Sequence, residues 1–439
     1  MVRVLMLAED CNPDWPSLPV VGYKFAREIS KHADVTLVTQ IRNQPNLDRE
    51  GCGNAELVYI DTEEFAAPLH KLINFLRGGQ QDTGWTFSTG LSYLHSLYYE
   101  WKIWRRYRSA LRSGKFDIVH RLTPMTPTHP SLMALFSPIP FVLGPLNGGL
   151  PWPKAFQAEL KREREWLSYF RNLYKFLPFI KSTYTKSDAI LAAFAHTIAD
   201  LPVEARSKMI NYPEVGIDPA LFSAPVRSPK ERMTILYAGR LVPYKLPEVV
   251  VRTFAASPIL RQHRLVVVGE GPERERLEAI VAEHGLEASV EIVGRKSQAE
   301  VGKLMREAEI FAFPSIRELG AGVVIEAMAC GMAPVVVDYG GPADLVQPGC
   351  GVKVPMGNLD QLVQRFTGEL EQLVQQPDRV AGYGKTAHDH AMRYYAWDAK
   401  AKQTLEIYQQ LISDRCLAPE LLDLPISTAS KVPAMAGRR

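Results

Sequence analysis

Cysteine is scarce in this 439-residue chain, and the five that occur, Cys11, Cys52, Cys330, Cys350 and Cys416, are odd in number and far apart. None forms a Cys-x-x-Cys pair, so the sequence suggests neither a disulfide framework nor a zinc site. An excess of one charge is also missing. With 51 basic and 48 acidic side chains the formal charge is +3, which gives nucleic-acid binding no support beyond ordinary basic patches. Long hydrophobic runs are absent too. The first run, Val4 to Ala8, is too short for a signal-peptide core and stops at Glu9-Asp10, and nothing later approaches a membrane-spanning stretch. These absences predict a soluble protein of a reducing cytoplasm. What is present is 46% hydrophobic composition, enough to exclude disorder. Because single cores stop growing near ~250–300 residues, the length predicts two large domains.

The apolar run ending in the turn-rich stretch Asp10 to Pro19 reads as a strand buried on both faces, the habit of parallel sheets. Phe25 and Ile29 then recur at helical spacing, and Val35 to Thr39 reads as a second strand, so the chain opens with a β-loop-α-β unit. Further strands are expected at Leu57 to Ile60, Ile118-Val119 and Phe141 to Leu143. The alternation restarts after a polar, proline-bearing stretch. Met233 to Ala238, Arg264 to Val268, Val290 to Val293, Ile310 to Phe313 and Val335 to Asp338 are short β-like runs separated by helical segments such as Glu273 to Glu283. The prediction is an α/β chain of two Rossmann-like, doubly wound parallel-sheet domains facing a central cleft. The expected boundaries are an amino domain over 1–217, a linker over 218–232 and a carboxyl domain over 233–395. A last helix over 396–416 is expected to cross back to the first domain, followed by a mobile tail, 417–439.

The segment richest in chemistry is Pro314-Ser-Ile-Arg-Glu318-Leu-Gly320-Ala321-Gly322-Val323-Val-Ile-Glu326-Ala-Met-Ala-Cys-Gly331. It reads as a glycine-containing loop between a strand and a helix, so backbone amides at the helix start form an anion site suited to phosphate. Glu318 and Glu326 bracket that site. Carboxylates there would repel phosphate unless aimed at hydroxyls, and a carboxylate accepts two hydrogen bonds from a vicinal diol. A sugar nucleotide, with a diphosphate between two polyhydroxy rings, satisfies both facts. Upstream, Gly239-Arg240-Leu-Val-Pro-Tyr-Lys245 follows another strand. Arg240 can bind phosphate oxygens bidentately and Lys245 adds a point charge; the bland reading of both is surface solubility.

On these residues the chain resembles retaining, family-4-type glycosyltransferases of the GT-B fold, known as glycosyl transferases group 1. The motifs run in order: Gly239-Arg240 to Lys245, Val268-Gly-Glu-Gly-Pro272 to Leu277, Gly294, Pro314-Ser315 to Glu326-Ala-Met-Ala, and Gly340-Gly341 to Asp344. Val215-Gly-Ile-Asp218 to Phe222 resembles the family's interdomain signature. The resemblance implies that Glu318 contacts the transferred sugar, Glu326 the ribose, and Arg240 with Lys245 the diphosphate. It further implies that Gly294, Arg295 and Lys296 flank the base, that Gly239, Gly22, Gly320, Ala321, Gly322 and Val323 help hold the donor, and that no cofactor or metal is needed. A UDP- or GDP-sugar would be the donor. Departures include Val21 where a glycine often precedes Gly22, Leu246-Pro247 after the lysine, and Asp344 where glutamate is usual.

In the amino half, His120 matches the family's histidine on the acceptor side, where it would orient the sugar or the acceptor; a lone histidine is otherwise a satisfied structural residue. The loop Gly144 to Gly149, with Asn147 and Gly148, is expected to line the same cleft or simply to turn tightly. His388 and His390 are read as surface residues. Between Trp152 and Lys186 basic residues outnumber acidic ones amid many aromatics, and Arg164 to Lys175 patterns as a helix with one apolar and one basic face. Its bland reading is a helix packed on the sheet; the sharper one is peripheral docking on the anionic inner face of a membrane, near a lipid-linked sugar acceptor. The reaction expected is sugar transfer to a hydroxyl with retention, in envelope or exopolysaccharide synthesis. Rival readings are a sugar-nucleotide epimerase of the same architecture, an oxidoreductase suggested by Gly269-Glu-Gly271, and a non-enzymatic scaffold.

Overall fold

The computed structural model describes residues 1–65, 85–156, 174–223, 230–418 and 422. Two units emerge. One comprises Met1–Ala193, Thr197–Asp218 and Arg393–Leu422; the other holds Phe194–His196 and Pro219–Met392.

In the amino-terminal unit the strands are β1 (Arg3–Ala8), β2 (Asp34–Gln40), β3 (Glu56–Ile60), β4 (Ile118–Thr123), β5 (Phe141–Leu146), β6 (Ala189–Ala192) and β7 (Met209–Asn211). Among the described residues they form one sheet in the order β3-β2-β1-β4-β5-β6-β7, every neighbour parallel. Val4 to Ala8 are wholly buried, the reason this run shows no polar alternation. Strand order reverses between β1 and β4, the topological switch point of a doubly wound sheet.

The carboxyl-terminal unit repeats the plan with β8 (Thr234–Ala238), β9 (Arg264–Val268), β10 (Val290–Gly294), β11 (Ile310–Phe313), β12 (Ala333–Val337) and β13 (Val352–Val354). Their order among the described residues is β10-β9-β8-β11-β12-β13, again all parallel, with the switch between β8 and β11. The helix expected over Glu273 to Glu283 spans Arg274–Glu283.

Several expectations need correcting. Strands β6, β7 and β13 were not anticipated. Gly144 to Leu146 extend β5 instead of starting a loop; Gly144 has φ 109°, and a Cβ there would stand 2.2 Å from the Leu191 carbonyl oxygen of β6, so the backbone approach itself demands glycine. The linker is shorter than expected, because Pro219 to Ser223 already belong to the carboxyl-terminal unit, where Arg306 donates to the Leu221 carbonyl. Arg393 to Tyr395 belong to the amino-terminal unit.

The last helix, Trp397–Asp414, is part of the amino-terminal unit, where it buries Ala401, Ile407, Tyr408 and Leu411. Tyr212 donates to the Lys400 carbonyl (2.8 Å). Lys400 itself is buried, donates to the Pro213 carbonyl (2.6 Å), and lies 3.7 Å from the centre of the Tyr212 ring. Burial pushes its ammonium down to about 7. The expected tail lies outside the described residues apart from Leu417, Ala418 and Leu422, and the basic aromatic helix apart from Tyr174 and Lys175. Those two turn to Asp200, which accepts from the Tyr174 hydroxyl (3.0 Å) and the Lys175 ammonium (2.6 Å). No helix of the described residues is long and apolar enough to cross a membrane.

Candidate active site

The carboxyl ends of β8 and β11 flank the switch point of the second sheet, and there a pocket of about 620 Å³ opens. An open α/β sheet binds ligands at this place because two adjacent chain crossovers leave on opposite faces. Two loops make its walls and are tied together: the Tyr244 carbonyl after β8 accepts from Ile316 N (3.0 Å) after β11. The close packing of β9 depends on Gly269, since a Cβ there would stand 1.9 Å from the Gly239 carbonyl oxygen at φ 149°. Gly269-Glu-Gly271 is therefore a strand-end packing device of this wall, which removes its support for a dinucleotide fingerprint.

Ten of the residues singled out from sequence line the pocket: Gly239, Arg240, Lys245, Arg295, Lys296, Glu318, Ala321, Gly322, Val323 and Glu326. Gly294 and Gly320 are not among its lining residues. Gly294 has φ 72°, a Cβ there would stand 3.0 Å from Glu270 Oε1 and 3.2 Å from Arg274 Nη1, and its carbonyl accepts from Gly269 N (3.0 Å). Phe222, Glu270, Gln298 and Val301 also line the pocket and were not anticipated as site residues. Phe222 carried a signal in the Val215 to Phe222 motif and Glu270 in the Val268 to Pro272 motif; Gln298 and Val301 carried none beyond lying near a strand end.

Lys245 is almost buried and forms an ion pair with Glu318, whose Oε1 also accepts from the Ser315 hydroxyl (3.1 Å). The lysine's ammonium lies 5.1 Å from the centre of the Phe313 ring, an attraction that adds to its anchoring. Arg240 is more exposed, donating to the Tyr244 hydroxyl (2.6 Å) with its guanidinium 6.0 Å from that ring. Below them the helix Gly322–Ala329 begins at Ala321, whose left-handed φ of 46° turns the chain into the helix. No side chain of the described residues caps it, so its leading amides remain donors beside the positive end of the helix dipole. Cations, helix amides and two carboxylates thus converge on one cavity. It can hold a diphosphate flanked by hydroxyl-bearing rings.

The amino-terminal unit holds the remaining candidates. Gly22 is buried in the helix Leu18–Ile29, where a Cβ would stand 3.0 Å from both the Asp10 carbonyl oxygen and Thr123 Cγ2; its glycine answers to packing. Asn147 donates to Glu214 (2.6 Å), and Gly148 N donates to the Thr197 hydroxyl (3.1 Å). His120 corrects the ligand-facing expectation. It sits inside β4 with no exposure, one ring nitrogen bonded to the Tyr408 hydroxyl and the other 2.6 Å from the Gly144 carbonyl oxygen. Burial pushes its imidazole down to about 4, so it is a neutral core residue at neutral pH. His388 is half-buried and hydrogen-bonded to the Ala329 carbonyl (2.7 Å), which also departs from its surface reading. Among the described residues, the side chains spaced to share a metal ion are Glu28, His32 and Asp398 of the amino-terminal unit, none of which lines this pocket.

The carboxyl-terminal unit has a recognisable sequence as well as a recognisable pocket. Residues 221–387 match glycosyl transferases group 1. The match contains every lining residue of the pocket. D-inositol 3-phosphate glycosyltransferase 2 of Catenulispora acidiphila is 30% identical over 197 residues, 42% of this chain and 45% of the relative. The chain thus spans about half the length of the curated relatives it matches. Among solved structures, HepE of Anabaena in complex with UDP aligns over 94% of this chain and all of its own, at a TM-score of 0.59 and 16% identity. A glycosyltransferase of Rickettsia africae aligns over 94% and 99%, at 0.60 and 13%. At such identities the likeness is one of fold: the two Rossmann-like units are those of the GT-B fold.

Proposed function

We propose that this protein is a glycosyltransferase that moves a sugar from a nucleoside diphosphate to an acceptor hydroxyl with retention of configuration. The observation that carries the reading is the single cavity at the β8/β11 switch, where Arg240, Lys245, Glu318, Glu326 and the start of the helix Gly322–Ala329 converge. Arg240, Lys245 and the helix amides receive the diphosphate; Glu318 holds the transferred sugar and Glu326 the ribose diol. The bond from the anomeric carbon to the diphosphate oxygen breaks while a bond to the acceptor oxygen forms on the same face. The acceptor proton passes to the departing diphosphate, so no protein base is required, and the fixed cations stabilise the charge that develops there. The burial and two hydrogen bonds of His120 fit a structural role, not acid-base chemistry.

Neutralisation by Arg240 and Lys245, with no Asp-x-Asp pair in the sequence, supports a reaction that needs no divalent ion. Because HepE was solved with UDP, UDP-sugars are the first donors to test. The acceptor is a sugar, free or lipid-linked, and the setting envelope or exopolysaccharide synthesis in the cytoplasm, with peripheral contact to the inner face of a membrane. Release of nucleoside diphosphate, measured with and without acceptor fractions, separates this reading from an epimerase. Acceptor-dependent release with the sugar recovered in a new glycoside supports transfer; release unaffected by any acceptor, with a rearranged sugar, supports epimerisation.

A further inference from the structure

The helix Trp85–Arg112 of the amino-terminal unit presents two contrasting faces. Tyr99, Ile103, Tyr107 and Leu111 are buried. On the opposite side Leu94, Tyr98, Trp101, Arg105, Arg108 and Arg112 follow one another at intervals of four, three, four, three and four residues, which at 3.6 residues per turn makes one outward stripe roughly 27 Å long. Its first half is apolar: Leu94 is 49% and Trp101 42% exposed. Its second half is cationic, with Arg105, Arg108 and Arg112 all exposed. Among the described residues none of these arginines pairs with a carboxylate. The helix's acid, Glu100, is buried where Ser131 and Met133 N donate to it, and Lys102 is matched by Glu64.

We propose that this stripe docks the protein on an anionic phospholipid surface, aromatic half at the headgroup level and arginines on the phosphates. A merely solvated face mixes both signs of charge and exposes few large apolar groups. This one concentrates unpaired cations beside exposed tryptophan and leucine, the composition of interfacial helices. A single-stranded nucleic acid would need open ring faces on which bases stack. Here Tyr98 stacks against Phe65 (5.0 Å) and Trp101 (5.7 Å), and the Arg105 guanidinium lies over the Trp101 ring at 5.6 Å. Apolar acyl chains need only the exposed edges.

The inference names the surface for the membrane contact proposed above and rests on that part of the reading alone; its test contains neither donor nor acceptor, so it and the sugar-transfer reading can fail separately. The full-length protein is co-sedimented with phosphatidylcholine vesicles with and without phosphatidylglycerol, at low and high salt. It binds the anionic vesicles at low salt, and salt releases it. Replacing Arg105, Arg108 and Arg112 together by Ala lowers the partition coefficient on the order of a hundredfold, at about fivefold per basic residue. Trp101→Ser lowers it as well, at an unchanged melting temperature, whereas Lys303→Ala with Lys385→Ala, exposed cations of the other unit, leaves it unchanged. Any of three results overturns the proposal: no binding to anionic vesicles at low salt, wild-type binding by the triple variant, or an equal loss in the lysine control. Capture of single-stranded RNA with vesicles left unbound overturns the lipid assignment too.

Discussion

Lys245 and Glu318, which come from the loops after two neighbouring strands, form an ion pair in the pocket wall, with side chains only 11% and 14% exposed. The cation proposed for the diphosphate and the carboxylate proposed for the sugar therefore hold one another in place. Removing either leaves the other nearly buried and uncompensated. Lys245→Met and Glu318→Gln should each lower kcat by on the order of 10²-fold, and the double variant should lose far less than the product of the two. Multiplicative losses in steady-state rates would show that the pair is not a functional unit.

Glu326 lies on the helix Gly322–Ala329 instead of the loop, and the partner proposed for it is the ribose, which does not change during reaction. Glu326→Gln is expected to raise donor KM by about tenfold with kcat nearly unaltered, in contrast to Glu318→Gln. A kcat loss equal to that of Glu318→Gln would overturn the division of roles.

Arg240 stands at the mouth of the pocket on Tyr244. If it stabilises leaving-group charge, Arg240→Ala should cost on the order of 10²-fold in rate, and a chelator should leave wild-type turnover intact. Activity abolished by EDTA and restored by manganese would show that a metal shares the task.

How much of this was legible in sequence follows from what each residue type can signal alone. Strands such as Leu265 to Val268, wholly apolar because both faces are covered, announce themselves. The three-residue strands Met209–Asn211 and Val352–Val354 are too short to show a period, and Ala189–Ala192 hides in an alanine-rich stretch that favours helix. The two glutamates and two cations were legible because their types clash unless a common ligand reconciles them. Their mutual ion pair was not, because it depends on the register of β8 and β11. The left-handed φ of Ala321 was unreadable for another reason: that conformation is ordinarily a glycine's, and nothing in an alanine's identity announces it. His120 shows the limit of motif transfer, since sequence position reveals a strand end but not that Tyr408, 288 residues away, closes over it.

That burial has a pH signature. In the unfolded chain His120 takes a proton near pH ~6.5, whereas in the folded protein it resists until about 4. Below ~6.5 the unfolded state binds more protons, so the histidine's contribution is present at neutral pH and is lost as pH falls toward 4. His129, also pushed down to about 4 by burial, acts in the same direction. Stability of the wild type should drop between pH 6.5 and 4 by roughly 3 kcal/mol for His120, and His120→Gln should flatten that part of the profile. Denaturant midpoints across this range, unchanged in slope by the substitution, would contradict it.

The central claim is that the cavity at the β8/β11 switch binds a nucleoside diphosphate sugar, and thermal-shift titration with UDP-, GDP- and ADP-sugars tests it most directly. At ligand concentrations about a hundredfold above Kd, mass action should add roughly 2.7 kcal/mol of stability, so at least one of the three is expected to raise Tm by several degrees, with the shift abolished in Arg240→Ala. Three flat titrations of the wild type, or a shift that survives in Arg240→Ala with Glu326→Gln, would contradict the assignment.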